Sequence, residues 1–460
     1  CGRSLVIPGW AGARSGPWGA ERMPSPARKR PDCLRRALFL AALVALAVPA
    51  VRSHAQGLFD FEREPIDYHR KPAANVVSRL QERINAGKVG LKFSRPRGYL
   101  DSLLEQLKIP VSTQALVFSK SSAQLRQISP SRPRALYFND KAYVGWVQGG
   151  DVLEIIATDP ELGSVFYTLK QEEAGKPLLV RDKGQCLQCH ARPRTRDVPG
   201  PVVRSLYTGS DGQPIFNYGY YVSDHTSPFA ERWGGYYVTG THGRMFHMGN
   251  ILADRSLPPE KIDYEAGANI TDLSSLVDTA PYLSRHSDIA ALMVLEHQSQ
   301  LQNLATRARY EETRGRYYDK ALELSGDFQS DLSKRLVIRA GDELLRYMLF
   351  TGEHKLSSPV KGTSGFTAEF SRRGPRDRKG RSLYQLDLRT RLFRYPLSYM
   401  IYTDSFRKLP PRVLAHVTRR LREVLTAKSV DDEFSHIGLE SRRAILEILK
   451  DTWPGLAGKW

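Results

Sequence analysis

The chain has 460 residues, 41% of them hydrophobic, and a formal charge of +19, which is long enough for two domains with separate cores. Its 25% of charged residues is ordinary for a globular protein and excludes a chain too polar to fold. After the N-terminal leader no apolar run approaches the roughly 20 residues that a membrane-spanning helix needs.

The leader itself reads as an export signal. From Met23 a basic stretch (Arg28, Lys29, Arg30, Arg35, Arg36) runs into apolar residues 37–50, and Ser53 and Ala55 hold the −3 and −1 positions of a cleavage site before Gln56. The pattern predicts a periplasmic or otherwise exported protein, cleaved near Ala55; an uncleaved anchor is the alternative, for which the run is short. Residues 1–22 precede the candidate initiator Met23. With 1–55 set aside as upstream segment and signal peptide, Cys1 and Cys33 leave with it. Only Cys186 and Cys189 remain, which is no disulfide scaffold. The leader also takes nine Lys/Arg and two Asp/Glu, leaving 59 basic and 47 acidic residues and a charge of +12. In an exported protein this points away from nucleic acid and toward an acidic redox partner or an anionic membrane surface, although solubility alone would explain it as well.

Two short helices are predicted first, at 73–86 and 98–108, the one ending at Gly87 and the other before Pro110. A β-rich stretch follows. Strands at 134–139 and 142–147 flank a tight turn, and strands at 151–157 and 164–170 flank Asp159-Pro-Glu-Leu-Gly163. Further strands are expected at 203–207, 214–221 and 235–239. After about residue 253 the period becomes helical: apolar stripes run through 286–310 (Ile289, Met293, Leu301, Leu304, Ala308), 330–350, 411–425 and 441–450. Residues 371–381 (SRRGPRDRKGR) form a basic loop expected to be mobile. The expected fold class is α+β, with a β-rich, PAS-like domain at 56–252 and an all-helical domain at 253–460.

Within the β-rich part, between the strand near Val180 and that near Val203, stands Cys186-Leu-Gln-Cys189-His190. Two thiols at this spacing reach the two vinyl groups of one porphyrin, and the following histidine swings under the ring as an axial iron ligand. One motif means one covalent haem c, attached through Cys186 and Cys189 with His190 as proximal ligand. A zinc half-site would need a second pair of Cys or His, and a thioredoxin-like pair usually opens a helix after a strand.

The sixth iron ligand separates a closed electron carrier from an open, ligand-binding iron. Thr239–Asn250 offers His242, Met245, His247 and Met248 in a glycine-bounded loop. His297 lies within the apolar stripe of a long helix, and His225 lies in a turn. Met248, His247 and His297 are the leading distal candidates, each of which could equally be a packed core residue. Haem propionates need cationic partners, and Arg192 and Arg204 lead a set that includes Arg194, Arg196 and Arg232. Tyr137, Phe138, Tyr143, Trp146, Phe166 and Tyr167 would wall a haem pocket or simply form sheet core.

The segments ALYFNDKAYVGWVQGGDVLEI, DPELGSVFYTLKQ, CLQCH, SPFAERWGGYYVTGTHG, RLFRYPLSYMIYTDSF and RRAILEIL resemble a group of exported bacterial monohaem cytochrome-c-domain proteins, over residues 97–453. The resemblance implies haem binding, export and dependence on the cytochrome c maturation machinery, and supplies no substrate. RYPLSYMIYTDSFRKLP resembles the ends of larger haem-containing bacterial proteins, and the placing of the motif among strands is similar to PAS-like c-haem sensor domains. Strands on both sides of the motif depart from the compact all-helical cytochrome c. The expectation is electron transfer by a periplasmic monohaem cytochrome. The alternatives are a haem enzyme or gas or redox sensor with an open or displaceable distal site, and a binding module with structural haem. No motif for hydrolysis, phosphate cradling or dinucleotide binding is present.

Overall fold

The computed structural model describes residues 59–324, 329–429 and 431–457; the expected leader lies outside them. Helix α1 (Val76–Asn85) starts where the Asn75 side chain accepts from the Val77 and Ser78 amides, both at 3.0 Å, satisfying two of the donors a helix leaves bare. It buries Val77, Leu80 and Ile84, and α2 (Leu100–Leu107) buries four leucines, each a one-sided stripe that needs a sheet to cover it.

That sheet has seven antiparallel strands. They are β1 (Ala115–Val117), β2 (Arg134–Phe138), β3 (Ala142–Trp146), β4 (Val152–Asp159), β5 (Gly163–Lys170), β6 (Leu179–Arg181) and, after the short ribbon of β7 (Arg204–Leu206) with β8 (Tyr220–Val222), β9 (Tyr236–Tyr237). The order is β6-β5-β4-β3-β2-β1-β9, so β9 returns from far along the chain to close the edge beside β1. The predicted hairpins are found. The motif does not interrupt one sheet, however: β6 is the edge of the large sheet, whereas β7 pairs only with β8. Of the strand expected at 214–221 only its end forms, because Phe216–Tyr218 makes a turn that closes at Gly219.

Alternation along the strands divides the sheet into two faces. One carries Ala135, Tyr137, Val144, Trp146, Leu153 and Ile155, buried with α1 and α2. The other bears two rows fixed by register. Phe138, Tyr143, Ile156 and Phe166 form one; Leu136, Gly145, Glu154, Thr168 and Val180 form the next. The first row packs under helix and is almost wholly buried, while the second is half-buried or exposed apart from its glycine.

After the helical α3 (Leu187–His190) of the motif, the longest helix is α4 (Ile289–Ala321), 33 residues, begun by Asp288, whose carboxylate accepts from the Ala290 and Ala291 amides. The predicted stripe becomes all-round burial in its first half: Glu296, His297, Gln298, Gln302 and Asn303 are enclosed as well. Enclosed polar groups need partners. Gln298 donates to the Asn139 carbonyl and the Tyr143 hydroxyl, and Tyr143 donates to Gln302 at 2.6 Å. Helices α5 (Asp331–Met348), α6 (Phe366–Arg372), α7 (Asp404–Arg407), α8 (Pro411–Thr426) and α9 (Leu439–Thr452) complete the C-terminal part. Residues 59–460 form one compact unit, and the parts on either side of residue 253 share an apolar cluster reaching from Phe138 and Trp233 to Ile448. The basic loop is held against α9: Arg381 bonds Asp377 and Glu447, and Lys379 bonds Glu447 at 2.8 Å. Among the described residues no helix is long and apolar enough to cross a membrane.

Candidate functional site

The motif is shaped by its own short-range bonds. The Asp182 carboxylate accepts from the Gly184 amide at 2.8 Å and the Cys186 amide at 3.0 Å, turning the chain out of β6. One helical turn follows, with the His190 amide donating to the Cys186 carbonyl at 3.0 Å. Residues three and four apart share a helix face, so Cys186 shares a side of the turn with both Cys189 and His190. Cys186 is half-buried, Cys189 is exposed, and no disulfide joins them.

His190 is held by its backbone neighbour. Its Nδ1 donates to the Gly200 carbonyl at 3.0 Å, while the Gly200 amide returns a bond of 2.9 Å to the His190 carbonyl. This leaves Nε2 as the basic nitrogen, and it has no protein partner among the described residues. Burial lowers the histidine's basicity to about 4; the Arg204 and Arg134 guanidinia add to this, against the Gly200 bond and the Glu154 carboxylate. The ring rests against Phe166 with centroids 5.1 Å apart. Cys186 is pushed the other way, up to about 12, by burial and then by the Asp182 carboxylate. It is therefore a thiol at neutral pH, whereas a redox-active Cys-X-X-Cys usually holds its thiol at a depressed value. Among the described residues no three His, Cys, Asp or Glu side chains converge as a metal-ion site.

Buried bonds brace the loop from His190 to Val203. Thr195 Oγ1 donates to the Val198 carbonyl at 2.7 Å and accepts from the Arg192 amide. Ser164 of β5 donates its amide to Pro199, and Asn303 of α4 donates to Pro201 at 2.9 Å. Thr195→Ala is expected to cost about 1–2 kcal/mol, the usual loss when buried partners are stranded; an unchanged thermal midpoint would show that the loop does not depend on this clamp.

Beside His190 the second row of the sheet lies uncovered. Across Gly145, Arg134 Nη1 bonds Glu154 Oε2 at 3.0 Å. The crossing passes over Gly145, where an added Cβ would make only ordinary contact with both side chains at 3.6 Å. Arg134 Nε and Glu154 Oε1 are enclosed without partners, and so is the Tyr220 hydroxyl. Neither Arg134, Glu154 nor Tyr220 is expected from the sequence, where nothing local marks them.

The expected partners fare differently. Arg204 is near, feeling His190 and donating to the Ser121 carbonyl at 3.0 Å. Arg192 bonds the Gln188 carbonyl and lies 5.3 Å over Phe59, and Arg194 stacks 3.6 Å over Tyr220. Arg196 is spent on Glu343 at 3.0 Å. Arg232 is buried with Glu296 at 3.2 Å and bonds the Ser227 and His225 carbonyls.

The three leading distal candidates, and His242 with them, are engaged within the protein, whereas His225 Nε2 has no partner among the described residues. His247 Nδ1 accepts from the Gly249 amide, His242 Nε2 from the Asn269 amide, each at 3.0 Å, and Met248 Sδ from the Ser205 hydroxyl at 3.5 Å. They pack with Phe229, Trp233 and Met245. His297 spends both ring nitrogens, on His225 at 2.8 Å and Ser398 at 2.7 Å, which leaves it no free lone pair. Of the aromatic residues offered as pocket wall, Tyr137, Trp146 and Tyr167 belong to the covered face, Phe138 and Tyr143 pack under α4, and Phe166 alone touches His190.

The residues present fit a covalent haem. Two free thiols, one exposed and one half-buried, and a tautomer-fixed imidazole lie within one helical turn, near the enclosed and unpartnered Arg134 Nε and Tyr220 hydroxyl. Fold and site define a mixed α+β protein, with a seven-stranded antiparallel sheet and a helical C-terminal part, that displays a CXXCH turn at the sheet edge. Compared with models of known protein families, with curated proteins and with solved structures, the chain matches none.

Proposed function

We propose that this chain is an exported monohaem c-type cytochrome that transfers electrons, with haem linked through Cys186 and Cys189 and His190 on the iron. The observation that carries the reading is the Nδ1–Gly200 bond at 3.0 Å. Histidines that bind metal almost always donate their other ring N–H in this way, which fixes the tautomer and the ring. Attached there, haem would supply one-electron chemistry; the chain supplies the axial nitrogen and an exposed rim at Cys189. The resemblance to exported monohaem cytochrome-domain proteins agrees with this reading. The charge of +12 after the leader suits an acidic redox partner.

A second reading, an open or displaceable distal site serving a sensor or enzyme, is favoured by one finding: His247, Met248 and His297 are each engaged in protein hydrogen bonds. The test is the absorption spectrum of dithionite-reduced holoprotein with and without carbon monoxide. Sharp low-spin bands unchanged by the gas are expected for the carrier. A shifted Soret band establishes the second reading, and protein matured with the haem-attachment machinery that carries no haem refutes both.

A further inference from the structure

We infer that Arg134 and Tyr220, with Arg204, form the carboxylate-binding side of the haem site and receive its propionates. The inference rests on the haem reading and adds residues to it that lie on the sheet rather than in the motif.

Three observations support it. Arg134 uses Nη1 on Glu154, while its Nε is enclosed without an acceptor, and the Tyr220 hydroxyl is likewise enclosed and bare. An unmet buried donor costs about 1–3 kcal/mol, and an acceptor from outside the chain would meet both; Arg134, Arg204 and Tyr220 all act on Tyr236, which puts them in one neighbourhood. Both lie by the motif: Arg134 and Arg204 act on His190, and Cys189 acts on Tyr220. The charge also matches, since Arg134, Arg194 and Arg204 against Glu154 leave two positive charges for a ligand with two carboxylates. Glu154 holds one fork of Arg134 and leaves Nε unpaired, and Arg194 stacks on the Tyr220 ring. Guanidinium with phenol is a pairing suited to carboxylate oxygens.

The test uses full-length protein matured with the haem-attachment machinery, as wild type, Arg134→Gln and Tyr220→Phe. In-gel haem staining reads attachment, redox-difference infrared spectroscopy reads the propionate carboxylate bands, and potentiometry reads the iron. Both variants are expected to keep covalent haem and to shift the carboxylate bands. Arg134→Gln, by leaving a propionate charge uncompensated, should favour ferric iron by about tenfold at fixed ambient potential, or about 59 mV for one electron. Tyr220→Phe changes no charge and should move the bands with a smaller change in potential. Should Arg134→Gln not fold because Glu154 is stranded, Tyr220→Phe decides alone, since among the described residues its hydroxyl reaches only the Arg204 guanidinium. Haem-loaded variants with wild-type bands and potential overturn the inference while leaving the haem reading intact. Wild type without haem overturns the haem reading itself, before any variant is made.

Discussion

In haem-loaded protein, His190→Ala is expected to abolish the low-spin spectrum while both thioether links persist, and imidazole added to the solution should restore it. Gly200→Ala should produce a weaker version of the same defect. His190 owes its basic Nε2 to the Gly200 carbonyl, and an added Cβ at Gly200 would collide with the Asn303 side-chain oxygen. Asn303 is buried and holds the Pro201 carbonyl, so it cannot swing clear without releasing the loop. The carbonyl must shift instead, and disturbing the partner of a ligating histidine typically weakens metal binding by about 10–100-fold. The measurement is titration with an exogenous ligand such as imidazole or carbon monoxide, which should compete at correspondingly lower concentration in Gly200→Ala. If Gly200→Ala binds external ligands as the wild type does, the Gly200 bond does not tune the iron. If His190→Ala keeps a low-spin spectrum without imidazole, His190 is not the proximal ligand.

How far this site can be read from sequence depends on the range of the contacts. The turn 186–190 is local, so Cys186, Cys189 and His190 are legible from spacing alone, and the hairpins from 134 to 170 are legible because their turns and alternation are local too. Gly200, ten residues away, shows no sign that its carbonyl is the partner of His190. Arg134 and Glu154 look like ordinary solvent-facing strand charges. Only the order β6-β5-β4-β3-β2, with Gly145 between them, brings that pair beside the motif. The strand β9 was legible as a strand but not as a partner of β1, because pairing over more than a hundred residues leaves no local trace. Helix α4 shows the converse. Its apolar stripe is real, yet the enclosing sheet and helices also bury Gln298, Gln302 and Asn303, each satisfied by a group distant in sequence. His297 and Arg232, read as candidates for the haem, are core residues for the same reason.

Those enclosed histidines should make the fold acid-sensitive in a characteristic way. Burial lowers His297 to about 3; burial and then His242 lower His247 to about 3; burial and then His297 depress His225. Protonating both His225 and His297 would set two N–H groups face to face across 2.8 Å. A depressed histidine contributes stability that is complete above its unfolded value of about 6.5 and is lost as pH falls toward the folded value. Two buried carboxyls act in the opposite sense. Burial raises Glu296 to about 8 against the attraction of Arg232, and burial raises Glu353 to about 7. Their stabilisation is present below about 4.5 and fades as pH rises. In haem-loaded protein, with His190 on the iron, these three histidines oppose the two carboxyls between pH 6.5 and 4.5, a net of one proton, or about 1.4 kcal/mol lost per pH unit. Below 4.5 those two carboxyls are protonated in both states, so the histidine loss is no longer opposed and should steepen. Denaturant unfolding at a series of pH values measures both slopes. His297→Gln, which can still bond Ser398, removes one histidine and should bring the upper slope close to zero. An unaltered slope in that variant would mean that His297 is already protonated in the fold, and that the His225–His297–Ser398 chain carries a buried charge.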